Sequence, residues 1–417
     1  MAQEVIVQKY GGESVADRER MEKVAEHIVN VAKAGKKVVV VISAMGKTTD
    51  ELIQLAKQFY GGPPPKDKRD YVLVTGEQLA AGLLALKCTA LGIEAIPLTG
   101  WQIGLEADSN GMVKMVAKRE FLRQLLIEGK FSVLVVAGSQ GIIEGTDRVV
   151  TLGRGGSDAT AVALAVALGL PECELYKDVP GVFTIDPDIV PDARRFKTIP
   201  YGQMARLAEA GAKVIMPRAV ALAQNFGVKI RVLLSPSIGE STGGTLVYSG
   251  ASLEEMEKGW FQPAIAIREK VALFGISNVS NQPGAAAAIF HPLKDINIID
   301  STQVMGGMTT DINILCWEED RSSVSAELKI VKEKGMAGEI MISEHPNLVQ
   351  LSVVSPPMVE VSGYWARIVE ALAGAQVNNE AHGSAGSNIW VMVKEKCLRE
   401  AAIALAEEFD LLEKGVV

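Results

Sequence analysis

Three stretches of this 417-residue chain place a cation or a hydroxyl beside one or more glycines, each just after a β-branched run: KYGG (9–12), ISAMGKTTDEL (42–52) and TLGRGGSDA (151–159). Glycine lets main-chain N–H groups approach an anion, and a helix opening just behind it adds the positive end of its dipole. Lys9 couples an ammonium to Gly11 and Gly12. Thr48, Thr49 and Asp50 read as a helix start with capping hydroxyls, and Arg154 adds a guanidinium to Gly155, Gly156, Ser157 and Asp158. Taken singly, a glycine pair after a strand is commonly a tight turn, and an aspartate opening a helix is commonly a cap. Three such turns, two of them with a cation inside, point to an anion site. Neither G-x-x-x-x-G-K-[ST] nor a G-x-G-x-x-G following a strand is present, so those two phosphate-holding devices are excluded.

The elements that must position these residues follow from hydrophobic periodicity. EVIVQKYGG (4–12), KKVVVVISAMG (36–46), FSVLVVAGSQG (131–141) and VKIRVL (228–233) read as buried strands. DRERMEKVAEHIVNVAKAG (17–35), TGEQLAAGLLALKCTALG (75–92) and SDATAVALAVALG (157–169) have helical spacing and end at glycine. This alternation implies a parallel or mixed sheet covered on both faces, with ligands at the carboxyl ends of the strands. GGPPPKDKRD (61–70) reads as an exposed loop. After SLEEMEKGWFQPAIA (252–266) the pattern becomes an internal repeat of roughly 70 residues, a spacing too long for a solenoid. It fits two small α+β modules, each laying helices on one face of a sheet.

Composition narrows the function classes. A 48% hydrophobic and 22% charged chain is ordinary globular material, long enough for two or three domains. A net charge of -8 argues against broad nucleic-acid or membrane binding, so any phosphate must be gripped locally. The start of the chain has Glu4 where a leader would be basic and then apolar, and a cytoplasmic protein is expected. Cys88, Cys173, Cys316 and Cys397 lie far apart with no CxxC pair and no histidine at ligand spacing. They read as buried small hydrophobes, and no protein-borne metal site is expected.

A more specific signal lies in six ordered stretches: VQKYGGESVAD, VVVVISAMGKTTDEL, TGEQLAA, TLGRGGSDATAVALA, DVPGVFTIDPDIVPDARR and LAEAGAKVIMPRAVALA. Over about residues 3–250 they resemble the aspartate kinase family, and the tail resembles that family's paired ACT regulatory modules. The resemblance implies an α/β amino-acid-kinase three-layer αβα sandwich over 1–250, followed by two α+β ferredoxin-like ACT modules over 263–340 and 341–417. It implies phosphorylation of the side-chain carboxylate of L-aspartate by ATP, at the start of lysine, threonine and methionine synthesis. That carboxylate is already ionised at neutral pH, so the chemistry needs charge neutralisation and alignment rather than a general base.

Carried over by position, the resemblance gives Lys9 the phosphates and the transition state, with Gly11 and Gly12 as main-chain donors beside it. Ser43 and Thr49 would line the cleft between nucleotide and amino acid. Glu77 would take the substrate ammonium and Arg154 its α-carboxylate, with Ser157 and Asp158 completing the active-site network. Asp178 would face the nucleotide, Lys213 would reach its phosphates, and the nucleotide segment would include Lys177, Phe183 and Asp188. Magnesium would be held largely by phosphate oxygens and water.

The chain departs from that family at several of these points. Glu13 replaces the Ser or Thr after the glycine pair, Gln78 the Arg after the substrate-binding Glu, and Ser139 an aromatic. Lys177 replaces a Ser or Thr, Phe183 a Tyr, and Asp188 the Arg of D-P-R. The expected effector loop ISNVSNQPG (276–284) has Asn281 and Gln282 before its P-G, and SPPMVEVSG (355–363) and AHGSAGSN (381–388) replace the second. The repeat is therefore expected to serve a homo-oligomer rather than an effector. Two other readings stand beside aspartate phosphorylation: a carboxylate kinase for another amino acid, and a weakly catalytic amino-acid-binding regulatory subunit.

Overall fold

The computed structural model describes residues 4–127, 131–153, 155–240, 243–250, 262–306, 309–355, 362–385 and 388–413. The chain divides into two compact units. The first holds Met1–Phe183, Arg195–Glu209 and Lys213–Trp260, and the second Thr184–Arg194, Ala210–Ala212 and Phe261–Val417.

In the first unit the order is β1 (Val5–Tyr10), α1 (Arg18–Lys33), β2 (Lys37–Ile42), α2 (Thr48–Tyr60), α3 (Lys66–Ala90), β3 (Ala95–Leu98), β4 (Leu105–Ala107), β5 (Val113–Val116) and α4 (Arg119–Ile127). There follow β6 (Val133–Ala137), β7 (Gln140–Ile143), β8 (Val149–Thr151), α5 (Gly156–Leu168), β9 (Glu172–Lys177), β10 (Thr198–Pro200), α6 (Tyr201–Ala210), α7 (Pro217–Phe226), β11 (Lys229–Leu234) and β12 (Thr245–Tyr248). The main sheet is eight-stranded in the order β10-β12-β11-β9-β1-β2-β6-β3. Its pairs are parallel except for the antiparallel β11–β12. A four-stranded sheet, β5-β4-β7-β8, stands beside it.

The layers follow from the side-chain period of two in the strands. Val38, Val40 and Ile42 of β2 turn to one face and pack with Val24, Ile28, Leu84 and Cys88 of α1 and α3. On the other face α5 packs against β1, β2 and β9. Ten consecutive α5 residues from Gly156 to Ala165 are buried, which is why its sequence is a small-residue run with no polar stripe. α1 is capped by Asp17, whose carboxylate accepts from Arg20 N–H at 2.9 Å.

Register sets up the site. Tyr10 of β1 pairs across to Ile42 of β2 and Tyr176 of β9, and Ile42 pairs with Ala137 of β6. Four neighbouring strands thus end level, and their loops emerge side by side at the carboxyl edge.

Two local expectations are corrected. The exposed loop 61–70 is loop only to Pro65, after which α3 begins at Lys66. Proline just before a first turn costs no hydrogen bond, and Asp70 is buried, accepting from Lys66 Nζ at 2.5 Å and from Thr151 N–H at 3.0 Å. The capping hydroxyl expected at α2 is not formed: Lys47 occupies the N-cap position and no side chain caps the helix. α3 is long and apolar enough to cross a membrane by length and composition, but its buried side carries Asp70 and Glu77, as a core helix beside a polar site would.

The second unit contains β13 (Ala264–Ser280), α8 (Ala285–Phe290), β14 (Ile298–Gly306), β15 (Thr309–Trp317), α9 (Arg321–Glu333), β16 (Met341–Val354), α10 (Tyr364–Gly374), β17 (Ala381–Ala385), β18 (Asn388–Lys394) and α11 (Leu398–Glu408). Instead of two separate sheets there is one of six antiparallel strands, β14-β15-β13-β16-β18-β17. The long strands β13 and β16 run through its centre. Ala264–Arg268 pairs with Gln350–Val354, and the rest of β13 pairs with β15 on one side and Met341–Leu348 on the other. The register shifts near Lys270, whose φ is 57°. Phe274, Ile276, Ile314, Val324, Leu328 and Val331 form the core under α8 and α9. Most of the atypical loop at 355–363, and residues 386 and 387 of the other, lie outside the described residues, as does the run 251–261.

Candidate active site

At the level strand ends a cavity of about 580 Å³ is lined by Gly12, Ser43, Thr49, Glu77, Ser139, Gly153, Gly155 and Ser157, among others. Each wall has a local cause. Gly12 must be glycine because a Cβ there would lie 2.9 Å from the carbonyl oxygen of Ala44. At Gly138 a Cβ would meet Ser157 Oγ at 2.5 Å and the Ile42 carbonyl at 3.0 Å, so this glycine lets α5 close down on the sheet. Ser43 Oγ donates to Ser157 Oγ at 3.0 Å, tying the end of β2 to the start of α5.

Beside the cavity lies a buried charge cluster. Lys9 Nζ is 2.9 Å from Asp158 Oδ1, and Lys177 Nζ lies 3.0 and 2.8 Å from the two Asp158 oxygens. Asp158 also accepts from Met216 N–H at 3.4 Å. It opens α5 but makes no capping bond; its work is to hold two ammonium groups. Lys9 and Asp158 are 5% and 2% exposed and Lys177 is half-buried, so a surplus positive charge is held largely away from water. Burial lowers the Lys9 ammonium to about 8; Asp158 opposes that shift, and Lys177 reinforces it. Burial alone would raise Asp158, but Lys177 and Lys9 hold it below the ordinary carboxylate range. The surplus charge sits beside Gly11, where a Cβ would come within 3.3 Å of Lys9 Nζ. Such a pair can neutralise an anionic group placed beside it.

Glu77 projects from α3 into the same cavity. Burial raises its carboxyl to about 7, partly offset by main-chain hydrogen bonds at Glu77 and Ala44. A buried carboxylate of this kind is matched by a ligand cation.

The other residues singled out by sequence fall in varied places. Arg154 lies outside the described residues, although Gly153 and Gly155 on either side of it line the cavity. Asp178 is exposed just past β9, and Lys213 is exposed ahead of α7. Phe183 forms an isolated bridge with Arg195. None of these three lines the cavity. Asp188 belongs to the second unit, where its N–H donates to Asp186 Oδ1 at 3.0 Å.

The departures resolve in part. Glu13 is turned to Arg20, which donates to its carboxylate at 3.2 Å and to its carbonyl at 2.7 Å, so its charge is matched on α1. Gln78 donates to the buried Gln140 at 3.4 Å. Ser139 adopts φ 59° and donates through Oγ to the Gly153 carbonyl at 3.1 Å, bracing the glycine turn. Lys57, Arg69, Leu73 and Thr151 also line the cavity and were not anticipated. Arg69, Leu73 and Glu77 share an i, i+4, i+8 spacing, which becomes legible only once α3 is known to begin at Lys66.

The chain is similar to known proteins along its length. Residues 4–233 match the amino acid kinase family and residues 351–409 an ACT domain. The chain is 37% identical over 416 residues to an aspartokinase of Mycolicibacterium smegmatis, covering 98% of this chain and 96% of that protein. It is 38% identical over 414 residues to one of Corynebacterium efficiens, with the same coverage. In fold it is similar to E. coli aspartokinase III solved with aspartate and ADP, at a TM-score of 0.74 and 20% identity, covering 98% and 100% of the two chains. With likeness to whole aspartokinases from end to end, and two lysines clamped on one carboxylate at the strand ends, the chain belongs to the aspartokinases of the amino acid kinase family.

Proposed function

We propose that the chain transfers the γ-phosphoryl group of ATP to the side-chain carboxylate of L-aspartate, forming 4-phospho-L-aspartate. The observation that carries this reading is a cavity with a buried carboxylate, Glu77, on its helical wall, lying beside a surplus-cationic lysine pair at the strand ends. The solved relative from E. coli, similar in fold, holds aspartate and ADP.

Lys9 and Lys177 neutralise charge on the transferring group, and Gly11 and Gly12 offer main-chain donors beside it. Glu77 receives the ammonium, Ser43, Thr49 and Ser157 frame the amino acid, and Arg154 takes its α-carboxylate. Asp178, Phe183 and Lys213 are assigned to the nucleotide. Magnesium would arrive on the phosphates with its waters, held largely by phosphate oxygens. Bound there, magnesium would supply further neutralisation of phosphoryl charge. The modules at 263–340 and 341–417 are assigned to homo-oligomer formation.

Incubation with ATP, magnesium and a panel of amino acids, with hydroxylamine trapping of acyl phosphate, tests the reading. Aspartate is expected to give signal. Signal from a different amino acid alone, or none from any, would overturn it.

The site also sets a pH dependence. Glu77 must be ionised to take an ammonium, so kcat/KM for the amino acid should fall as pH drops below about 7. Lys9 must be protonated to neutralise phosphate, so the same quantity should fall as pH rises above about 8. The expected profile is a narrow bell between these limits; a flat profile from about pH 6 to about pH 9 would contradict both assignments.

A further inference from the structure

We propose that Arg69 is a specificity-determining residue that reads the α-carboxylate of the amino acid held by Glu77, an assignment that rests on the kinase reading above for the identity of that amino acid. Arg69, Leu73 and Glu77 stand on one stripe of α3 and line the same cavity wall. Eight residues of helix separate Arg69 from Glu77, about 12 Å between their Cα atoms. That span suits two long side chains converging on one small ligand. A cation and an anion so disposed complement a zwitterionic head group.

The Arg69 side chain is held but not satisfied. Its terminal NH2 lies 3.5 Å from Asp70 Oδ1, while its Nε is buried with no hydrogen-bond partner. A buried donor left unpaired is costly, and a guanidinium presents Nε and a terminal nitrogen as the fork that grips a carboxylate. Asp70 does not neutralise it. That single carboxylate also accepts from Lys66, so one negative charge faces two positive ones. Asp70 further accepts from Thr151 N–H at 3.0 Å, which pins the wall carrying Thr151, Gly153 and Gly155 against α3 beside Arg69.

The position favours the amino acid over the nucleotide. The lysine pair on Asp158 stands by Gly11 and next to Ser157, where α5 begins, and marks the phosphoryl side. Arg69 instead shares its helix face with Glu77, so the anion it meets belongs to the same ligand as the ammonium.

The test compares L-aspartate with β-alanine, which is aspartate without its α-carboxylate, by calorimetric binding to wild-type, R69M and R69K full-length chains. In R69M, aspartate affinity should fall at least tenfold while β-alanine affinity stays within twofold, collapsing the preference between them. R69K keeps the charge but loses the fork, and should fall between. The assignment is overturned if R69M weakens both ligands equally, which is what a structural role would do, or weakens neither. It is also overturned if R69K matches wild type; should R69M not fold, this second variant decides. Because binding is read rather than turnover, a wild-type chain that binds aspartate without transferring phosphate would sink the kinase reading and still decide the role of Arg69. A wild-type chain that binds no aspartate overturns both.

Discussion

Replacing Lys9 by alanine should lower turnover by about 10³-fold while leaving the chain folded, the scale expected when a preorganised group facing developing charge is removed. The fold survives because Asp158 keeps its second ammonium, that of Lys177 at 2.8 Å, so no buried carboxylate is orphaned. The loss should appear mainly in kcat, since charge on the transferring phosphoryl group is greatest in the transition state. Hydroxylamine trapping gives the rate, and circular dichroism checks the fold. A near-normal rate would remove Lys9 from the mechanism.

Asp158→Ala reverses that balance. The variant removes the carboxylate that both ammonium groups share, leaving buried Lys9 and half-buried Lys177 without it. Removing one partner of a buried ionic cluster costs about 3–5 kcal/mol, and the loss should appear in urea unfolding of the first unit. The sign with pH is a second check. In the variant Lys9 would lose the carboxylate that raises its pKa and stay below its unfolded value, so the folded state binds fewer protons and stability rises as pH climbs toward the unfolded value near 10.5. The wild-type cluster, with Asp158 ionised, should show a smaller rise. A variant that loses less than about 1 kcal/mol, with no alkaline recovery, would mean the cluster contributes little.

The contrast between these variants explains why the two lysines differ in legibility. Lys9 could be singled out from KYGG because a cation beside paired glycines after a strand carries a chemical meaning of its own. Lys177 could be noticed only as a departure, and what it does depends on a carboxylate 19 residues earlier in the chain. Asp158 carried two readings, helix cap or site residue. The cap was set aside by geometry: its oxygens point at lysines from β1 and β9, the two strands that lie side by side at the middle of the sheet.

Glu13 shows the same limit from the other side. Its position next to Gly11 and Gly12 puts a negative charge beside the glycine turn, yet a side chain on a one-turn helix can face either way, and Arg20 on the next helix decided the matter. Residues 66–70 read as loop from sequence because the proline triplet before them hides the opening turn of α3. The main-chain N–H that Asp70 of this turn accepts from, that of Thr151, is 81 residues away.

By itself, the amino-acid sequence determined the alternating α/β plan, the strands, the glycine turns that must sit at strand ends, and the paired C-terminal pattern. These depend on local backbone freedom and on hydrophobic periods of 2 and 3.6 residues. Only tertiary structure decided that Asp158 serves two lysines, that Glu13 is turned to Arg20, that Arg69 shares a wall with Glu77, and that the C-terminal strands join into one six-stranded sheet. The physical reason is that strand register brings distant residues together, and long charged side chains settle on whichever opposite charge the low-dielectric interior leaves within reach.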